Sequence, residues 1–458
     1  MLIQTDQGQS ARRHRPSESR LALIPGGADR ASGAPPVPED LAATGLGRSL
    51  LNGLILRQLY VFGPQATATL ARQLGLESVV IVPLLQALRV AALLEVSPRI
   101  EAQNEPIGGL TGRSGWNWAL SASGRRHAAE SLERFRYVGR APVPLEQYRR
   151  WVLRDSAEGS LGPLPQLRQA LADTVLMPEQ IRCIGQALGG RGMLYLHGPA
   201  GSGKTHLLAS LQRALEGAVW VPHAIAVGDL IIEVFDPQWH QPLAESALPS
   251  GHVDARWSLC RRPVIRAGAA FSPAMLTLRR EAGIARLHAP LQIKAAGGWL
   301  MIDDFGRQPA IARALISRWL GPVERGRDWL SVPGGLSFEV PFACRLVLAA
   351  SVPPQSLGDA AFCRRLACRI ELREPDQIRF REIVSRLCRS RGRGDAQRIA
   401  HWLTDRLQAE ARPRWPGTAA SLVDAIIEQT RDDHWPPSID ANRLDAAWDR
   451  HRELAIGS

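Results

Sequence analysis

The chain contains the glycine-rich stretch Gly198-Pro199-Ala200-Gly201-Ser202-Gly203-Lys204-Thr205 directly after the apolar run Met193-Leu194-Tyr195-Leu196-His197. The stretch matches the pattern G-x-x-x-x-G-K-[ST] and lies between a predicted strand and a predicted helix, as this pattern requires. Glycines let backbone N–H groups turn inward around an anion, and the N-terminus of the following helix adds its positive dipole. The stretch therefore predicts a phosphate-binding loop for ATP, with contacts that extend to His206.

Two side chains in this loop are predicted to carry separate roles. Lys204 would reach the β- and γ-phosphates of ATP, and Thr205 would hold Mg2+. The chain uses arginine almost throughout and keeps only one other lysine, Lys294. A compact ammonium suits terminal phosphates better than a forked guanidinium does. A lysine at this position therefore favours a phosphate-binding role for the loop. A chance glycine-rich turn is the alternative, and the strand and helix around the loop count against it.

An acidic motif follows further along the chain, in Trp299-Leu300-Met301-Ile302-Asp303-Asp304. It is an apolar strand that ends in two carboxylates. The strand predicts Asp303 beside the metal and Asp304 as the base that activates the attacking water. Aspartate is one methylene shorter than the more frequent glutamate, so ATP binding is predicted more directly than hydrolysis. An acidic pair that only caps a strand is the alternative.

Composition and periodicity divide the chain into five segments. Residues 1–40, rich in Pro, Gly, Ser and Arg, predict a disordered tail. Residues 41–138 predict three helices, a β-wing and a fourth helix, as in a winged-helix-like domain, and residues 139–165 predict a linker. Residues 166–374 alternate strands and helices, which predicts an α/β fold, and residues 375–458 predict a helical lid. The predicted core strands are 193–197, 218–222, 299–304, 345–351 and 369–372.

Charge and cysteine content bear on partners and compartment. The net charge of +12 is compatible with a polyanionic partner, but the arginines are spread along the whole chain. The predicted recognition helix, residues 77–94, offers Arg89 as its only basic side chain, so DNA is a possible but not a favoured partner. The six cysteines lack the paired spacing of a zinc site and predict reduced thiols in a cytoplasmic protein. No stretch predicts a membrane span.

Three further runs carry a resemblance to a known family: Pro142-Val143-Pro144-Leu145-Glu146-Gln147-Tyr148, Ala289-Pro290-Leu291-Gln292-Ile293-Lys294-Ala295 and Ile302-Asp303-Asp304-Phe305-Gly306-Arg307-Gln308. They resemble bacterial AAA+ ATPases that have an N-terminal winged-helix-like domain. The paired aspartates also resemble those of replication-initiator and helicase-loader ATPases, which implies that Asp304 can serve as the base. The resemblance implies a P-loop NTPase of AAA+ type, with a parallel sheet flanked by helices, a C-terminal helical lid, and ATP and Mg2+ as cofactors.

The resemblance also implies three sensing positions. Ser351 stands where the family usually has a sensor Asn that positions the water. Arg364 and Arg365 are equally good candidates for the arginine finger that reaches a neighbouring subunit, and a solvated basic pair is the alternative. A second sensor arginine is expected near Ser421, where this sequence has none.

Arg412 and Arg414 are near the expected second sensor position, and neither fits it well. Ser351 at the sensor position, Asp304 in place of the more frequent glutamate and the missing second sensor arginine together indicate a slow ATPase. The leading interpretation is an ATPase that assembles into a ring and remodels an unidentified protein client. The ring is expected to be a hexamer. A DNA-associated ATP-dependent loader and a slow nucleotide-gated scaffold are the alternatives.

Overall fold

The computed structural model describes residues 33–98, 116–157, 164–190, 192–244, 246, 248–249, 252–268, 271–280, 286–332, 335–392, 394–429 and 441–456. The helices are α1 (Arg48–Phe62), α2 (Thr67–Leu74), α3 (Ser78–Val90), α4 (Ala122–Arg134), α5 (Leu145–Ala157), α6 (Leu164–Ala170), α7 (Pro178–Gly189), α8 (Lys204–Ala214), α9 (Leu291–Lys294), α10 (Pro309–Arg325), α11 (Ala360–Arg365), α12 (Gln377–Ser390), α13 (Ala396–Ala409), α14 (Pro416–Gln429) and α15 (Ala441–Ile456). The strands are β1 (Leu94–Pro98), β2 (Trp116–Leu120), β3 (Val143–Pro144), β4 (Met193–His197), β5 (Ala218–Pro222), β6 (Ala224–Val227), β7 (Leu230–Glu233), β8 (Trp257–Arg261), β9 (Val264–Ala267), β10 (Arg279–Arg280), β11 (Leu287–His288), β12 (Trp299–Phe305), β13 (Arg327–Ser331), β14 (Ser337–Pro341), β15 (Arg345–Ala350) and β16 (Leu366–Glu371).

A five-stranded parallel sheet organises the nucleotide-binding segment, with strand order β16-β4-β15-β12-β9. Its central strands β4, β15 and β12 are largely continuous buried apolar runs, because helices cover both faces of the sheet. Leu194 and Leu196 of β4 pack in one core with α7 and α8, whereas Met193 and Tyr195 pack on the other face with α10. The predicted α/β fold with a parallel sheet flanked by helices is therefore confirmed.

One predicted core strand belongs elsewhere. Residues 218–222 form β5, which pairs antiparallel with β8 in a separate two-stranded sheet. The edge strand beside β12 is instead β9, whose Val264 pairs in parallel with Trp299. Both are short apolar runs, and periodicity alone does not distinguish which of two such runs joins a given sheet.

The predicted linker is largely folded. Val143 and Pro144 form β3, which pairs in parallel with β6 at the edge of the sheet β10-β11-β7-β6-β3. The helix α5 follows directly, and its Tyr148 and Val152 are buried in the core below that sheet. The linker prediction is therefore wrong for residues 143–157. The prolines and glycines that suggested a linker occur at the ends of this folded unit.

The predicted N-terminal tail falls mostly on residues 1–32, which lie outside the described residues. Residues 33–40 are described, and they pack against the protein instead of extending from it. The backbone N–H of Asp254 donates to the carbonyl oxygen of Pro35 at 3.0 Å, and Pro35 and Pro38 are buried. The folded chain therefore begins before residue 41.

The helices α1, α2, α3 and α4 share one apolar core with the antiparallel pair β1 and β2. The described helices include none that is long and apolar enough by itself to cross a membrane. The pair α2 and α3 meets that test together, by length and composition only, and is bent by 116°. Its Leu70, Ile81 and Leu85 are fully buried in the protein core. The winged-helix-like assignment stays a prediction.

A buried ion pair joins segments that are distant in sequence. Arg256 and Asp254 both have fully buried side chains, with Nη2 of Arg256 at 2.8 Å from Oδ2 of Asp254. The same guanidinium donates to the carbonyl oxygens of Thr44 at 3.0 Å and Pro142 at 3.3 Å, and to Oε1 of Gln147 at 3.3 Å. The pair therefore ties the start of the folded chain and β3 to the strand β8.

We expect Asp254→Ala to lower the free energy of unfolding by about 3–5 kcal/mol, because it leaves a buried guanidinium without its counter-ion. Denaturant unfolding followed by tryptophan fluorescence measures this. Glu179→Ala is the matched control, since it breaks a pair with Arg182 whose side chains are 70% and 56% exposed, and exposed pairs contribute little. Equal midpoints for the two variants would contradict the prediction.

The C-terminal helices α12, α13, α14 and α15 pack around a common core that includes Phe380, Leu403, Leu422 and Trp448. The helical content predicted after residue 375 is present, while the function of this unit as a lid stays a prediction.

Cys183 of α7 and Cys368 of β16 form a disulfide with a Cα–Cα distance of 5.6 Å.

The disulfide contradicts the prediction that all six cysteines are reduced thiols. The two residues are 185 positions apart, so no spacing in the sequence reveals that α7 packs beside the edge strand. Cys260, Cys344 and Cys388 are buried and lie outside this disulfide, as does Cys363, which is partly exposed. The inference of a reducing compartment from scattered cysteines loses its support.

Candidate functional site

The glycine-rich loop connects the carboxyl end of β4 to the N-terminus of α8. Gly201 and Gly203 have φ values of 77° and 96°, in the left-handed region that favours glycine. At Gly198 the requirement is space, because a Cβ would lie 2.6 Å from the carbonyl oxygen of Leu372. Pro199 and Ala200 are exposed at the top of the loop, while Ser202 is buried below it. The loop therefore has the glycine-dependent shape that the motif predicts.

Lys204 is buried at the first position of α8. Its Nζ donates to the carbonyl oxygens of Gly198 at 2.7 Å and Pro199 at 2.9 Å, so the ammonium lies across the loop. Burial lowers the pKa of Lys204, and the nearby carboxylates of Asp303 and Asp304 oppose this shift. An anion bound in the loop would find this positive charge facing it at the helix N-terminus. His206, in the first turn of the helix, is exposed.

Thr205 and Asp303 meet at the same edge of the sheet. The hydroxyl Oγ1 of Thr205 donates to Oδ2 of Asp303 at 3.1 Å. A guanidinium that the sequence did not single out, Arg266 of β9, lies 2.6 Å from that same carboxylate oxygen. The sequence predicts this contact only if β9 is identified as the strand beside β12, because that pairing places Arg266 in register with Met301.

Asp304 has an unusual backbone conformation. Its φ is 55°, and the register between β12 and β15 shifts between Ile302 and Phe305. A bulge at the end of a strand redirects the side chain that it contains. The carboxylate of Asp304 is about half exposed, and its nearest cation is Nη1 of Arg307 at 3.9 Å. Asp303 therefore faces Thr205, while Asp304 is open to solvent above the strand.

These residues fit Mg2+ and a nucleotide phosphate. Hydroxyl and carboxylate oxygens are the ligands that Mg2+ prefers, and Thr205 and Asp303 supply one of each within contact distance. The cradle at Gly198 admits no side chain, and Lys204 places a cation inside the loop. Bound there, Mg2+ would neutralise charge on the phosphate oxygens. The protein's part would be to hold the phosphates on the loop, and the role of Asp304 in directing a water stays a prediction.

Ser351 follows β15 directly, at the carboxyl edge where the loop also lies. The backbone N–H of Gly198 donates to the carbonyl oxygen of Ala350 at 3.3 Å, so the residue before Ser351 contacts the start of the loop. The side chain of Ser351 is exposed. Its position agrees with a sensing role, which stays a prediction.

Arg364 and Arg365, the two candidates for the arginine finger, lie at the amino end of the parallel strands, opposite to the loop. They end α11, and the next residue, Leu366, pairs with Met193 at the amino end of β4. Arg365 is held within the chain, because its Nη2 lies 2.6 Å from Oε2 of Glu324 and its Nη1 donates to the carbonyl oxygen of Ala361. Arg364 is exposed and makes no ion pair with the described residues. The structure thus distinguishes two residues that the sequence left equivalent.

The helix α14 contacts the loop without a cation. The backbone N–H of Gly417 donates to the carbonyl oxygen of Gly201 at 2.8 Å. Ser421, one turn further, is exposed and donates to the carbonyl oxygen of Gly417. Arg414 instead pairs with Glu374 at 3.0 Å, and Arg412 lies over the ring of Trp448. Both arginines are thus engaged within the chain, and nothing in the sequence marks the contact that Gly417 makes.

The strand order, the glycine loop after β4 and the acid pair at the end of β12 together define an α/β P-loop nucleotide-binding fold. No protein-family model matches the chain, and no curated protein matches its sequence.

Among solved structures, the chain is similar to RuvB of Thermotoga maritima, described in one structure as a Holliday junction branch migration motor, at 13% identity and a TM-score of 0.31. Two point-mutant forms of the same protein give 14% identity with a TM-score of 0.32 and 13% with 0.34. Each match covers 63% of this chain and 70% of the other.

Proposed function

We propose that this protein is an AAA+ ATPase that binds and hydrolyses Mg-ATP to remodel a protein client. The observation that carries the proposal is the convergence of Lys204, Thr205, Asp303 and Asp304 at one edge of the sheet, around a loop that only glycine can form. Lys204 would hold the β- and γ-phosphates, Thr205 and Asp303 would ligate Mg2+, and Asp304 would direct the water. Gly198 to His206 would line the phosphates.

The placement of Arg364 supports action in an assembly. It lies near the amino end of β4, whereas its own loop lies at the carboxyl end, roughly 15–20 Å away at the usual rise per residue. An exposed arginine without a partner on the described chain is available to a neighbouring subunit. Repeated head-to-tail contacts of this kind close into rings, and we propose a hexamer.

The surface of α3 supports a protein client over DNA. Val79 and Val90 are 60% and 89% exposed, and Arg89 is the basic side chain beside them. Apolar side chains suit a protein partner, whereas phosphate contacts require arginine, lysine or polar groups. We therefore assign client contact to the N-terminal helical unit.

Turnover is expected to be slow. The sensing position is occupied by Ser351, whose hydroxyl is shorter than an asparagine amide, and α14 approaches the loop through Gly417 instead of an arginine. Fewer groups are then available to stabilise charge on the transferring phosphoryl group. The slow step is phosphoryl transfer, so slow turnover is compatible with tight binding of ATP.

Steady-state ATP hydrolysis across a series of protein concentrations tests the proposal. For a ring, specific activity rises with protein concentration, because each site is completed by its neighbour. Lys204→Ala, carried through the same purification, is the control for contaminating ATPase activity. ATP binding without turnover at any concentration would instead favour a nucleotide-gated scaffold, and activity independent of concentration in a protein that light scattering shows to be monomeric would contradict the ring.

A further inference from the structure

The guanidinium of Arg266 lies on the carboxylate that would ligate Mg2+. Its Nη2 is 2.6 Å from Oδ2 of Asp303, and Thr205 donates to that same oxygen. The side chain of Asp303 is 12% exposed and that of Arg266 is 33% exposed. Oγ1 of Thr205 and Oδ2 of Asp303, two oxygens that could ligate the metal, are therefore hydrogen-bonded to each other. The guanidinium of Arg266 contacts the same Oδ2.

Arg266 is the cation that directly contacts Asp303, whereas Lys204 donates to the carbonyl oxygens of Gly198 and Pro199. Magnesium requires close, nearly octahedral contacts to its oxygen ligands. A guanidinium on the same carboxylate oxygen occupies that space and repels the incoming ion. A metal that binds at Oδ2 would therefore displace Arg266, whose partly exposed side chain has solvent into which it can move.

We propose that Arg266 is an internal counter-ion that competes with Mg2+ for Asp303 and thereby sets the magnesium concentration at which the site binds its metal. The inference rests on the proposed function, since it concerns the same site. Without metal, Arg266 neutralises Asp303 and keeps a negative charge from facing the phosphates. With metal, the displacement of Arg266 subtracts from the affinity for Mg2+.

The competition predicts two effects of opposite sign for Arg266→Gln. Without Mg2+, the variant binds ADP more weakly, because the charge of Asp303 is no longer neutralised. With nucleotide present, the variant requires less Mg2+, because no guanidinium has to be displaced. Couplings of this type typically change affinity about 5- to 150-fold, and we expect about a tenfold lower half-saturating Mg2+ concentration.

Binding of a fluorescent ADP derivative, titrated in EDTA and at a series of free Mg2+ concentrations, measures both effects without requiring turnover. Arg313→Gln is the matched control, because it removes the same charge from an exposed position on α10. Thermal unfolding of each variant establishes that the fold is intact. Arg266→Lys adds a second test, since it keeps the charge and loses the planar fork.

The expected result is a lower magnesium requirement in Arg266→Gln, unchanged values in Arg313→Gln and an intermediate value in Arg266→Lys. An unchanged or higher magnesium requirement in Arg266→Gln overturns the inference, because the arginine would then be neutral toward the metal or would assist it. If the wild-type protein binds no ADP under any condition, the proposed function fails and the inference fails with it. Nucleotide binding by wild type separates these two failures.

Discussion

An Asp304→Asn variant is expected to bind ATP with nearly wild-type affinity and to hydrolyse it about 100- to 10,000-fold more slowly, the range that loss of a general base gives. Asparagine has almost the same size as aspartate and tolerates the left-handed backbone, so the φ of 55° at this position is kept. What is lost is the carboxylate that accepts a proton from the attacking water. Asp303, Thr205 and the loop are unchanged.

Measurement of turnover beside nucleotide binding separates this chemical defect from a binding defect. Asp405→Asn is the matched control, because it makes the same change in a carboxylate that is 67% exposed on α13. Asp304→Ala is less suitable, since alanine disfavours the left-handed region and adds backbone strain. Equal turnover in Asp304→Asn and wild type would mean that Asp304 is not the base, and that the protein acts as a nucleotide-gated scaffold or uses another group.

The part of the site that sequence predicted is the part that local geometry determines. The loop from Gly198 to Thr205 needs glycine at fixed positions, so its spacing alone predicts strand, turn and helix. The acid pair after Ile302 is similarly local, because a buried apolar strand that ends in carboxylates places them at one edge of a parallel sheet. These predictions required no knowledge of which strands are neighbours.

The missed features all depend on neighbours that are distant in the chain. The assignment of residues 218–222 to the central sheet was wrong because the residues after them form separate β-sheets before β9 returns to the central one. That error concealed Arg266, whose contact with Asp303 follows from the register of β9 against β12. The disulfide of Cys183 with Cys368 and the contact of Gly417 with Gly201 have the same origin. Such contacts follow from tertiary packing, which propensity and periodicity do not encode.

The choice between Arg364 and Arg365 illustrates the same division at a functional position. In sequence the two arginines are equivalent neighbours. In the structure, Glu324 holds Arg365 at 2.6 Å, whereas Arg364 is exposed. We expect Arg364→Ala to lower turnover about 1000-fold, because an arginine finger contributes roughly that factor or more to phosphoryl transfer. Arg365→Ala, the matched control, removes a contact within the chain, and its turnover should fall only a few-fold.

Mixing two inactive variants tests whether Arg364 acts on a neighbouring subunit. Arg364→Ala retains its own loop and lacks the finger, whereas Lys204→Ala lacks a working loop and retains the finger. In rings assembled at random from equal amounts, about a quarter of the interfaces pair an intact loop with an intact finger, as a head-to-tail assembly requires. Turnover should therefore return on mixing to about that share of the wild-type rate. An arginine that served its own site would give no recovery, because every subunit in the mixture would carry a defective site.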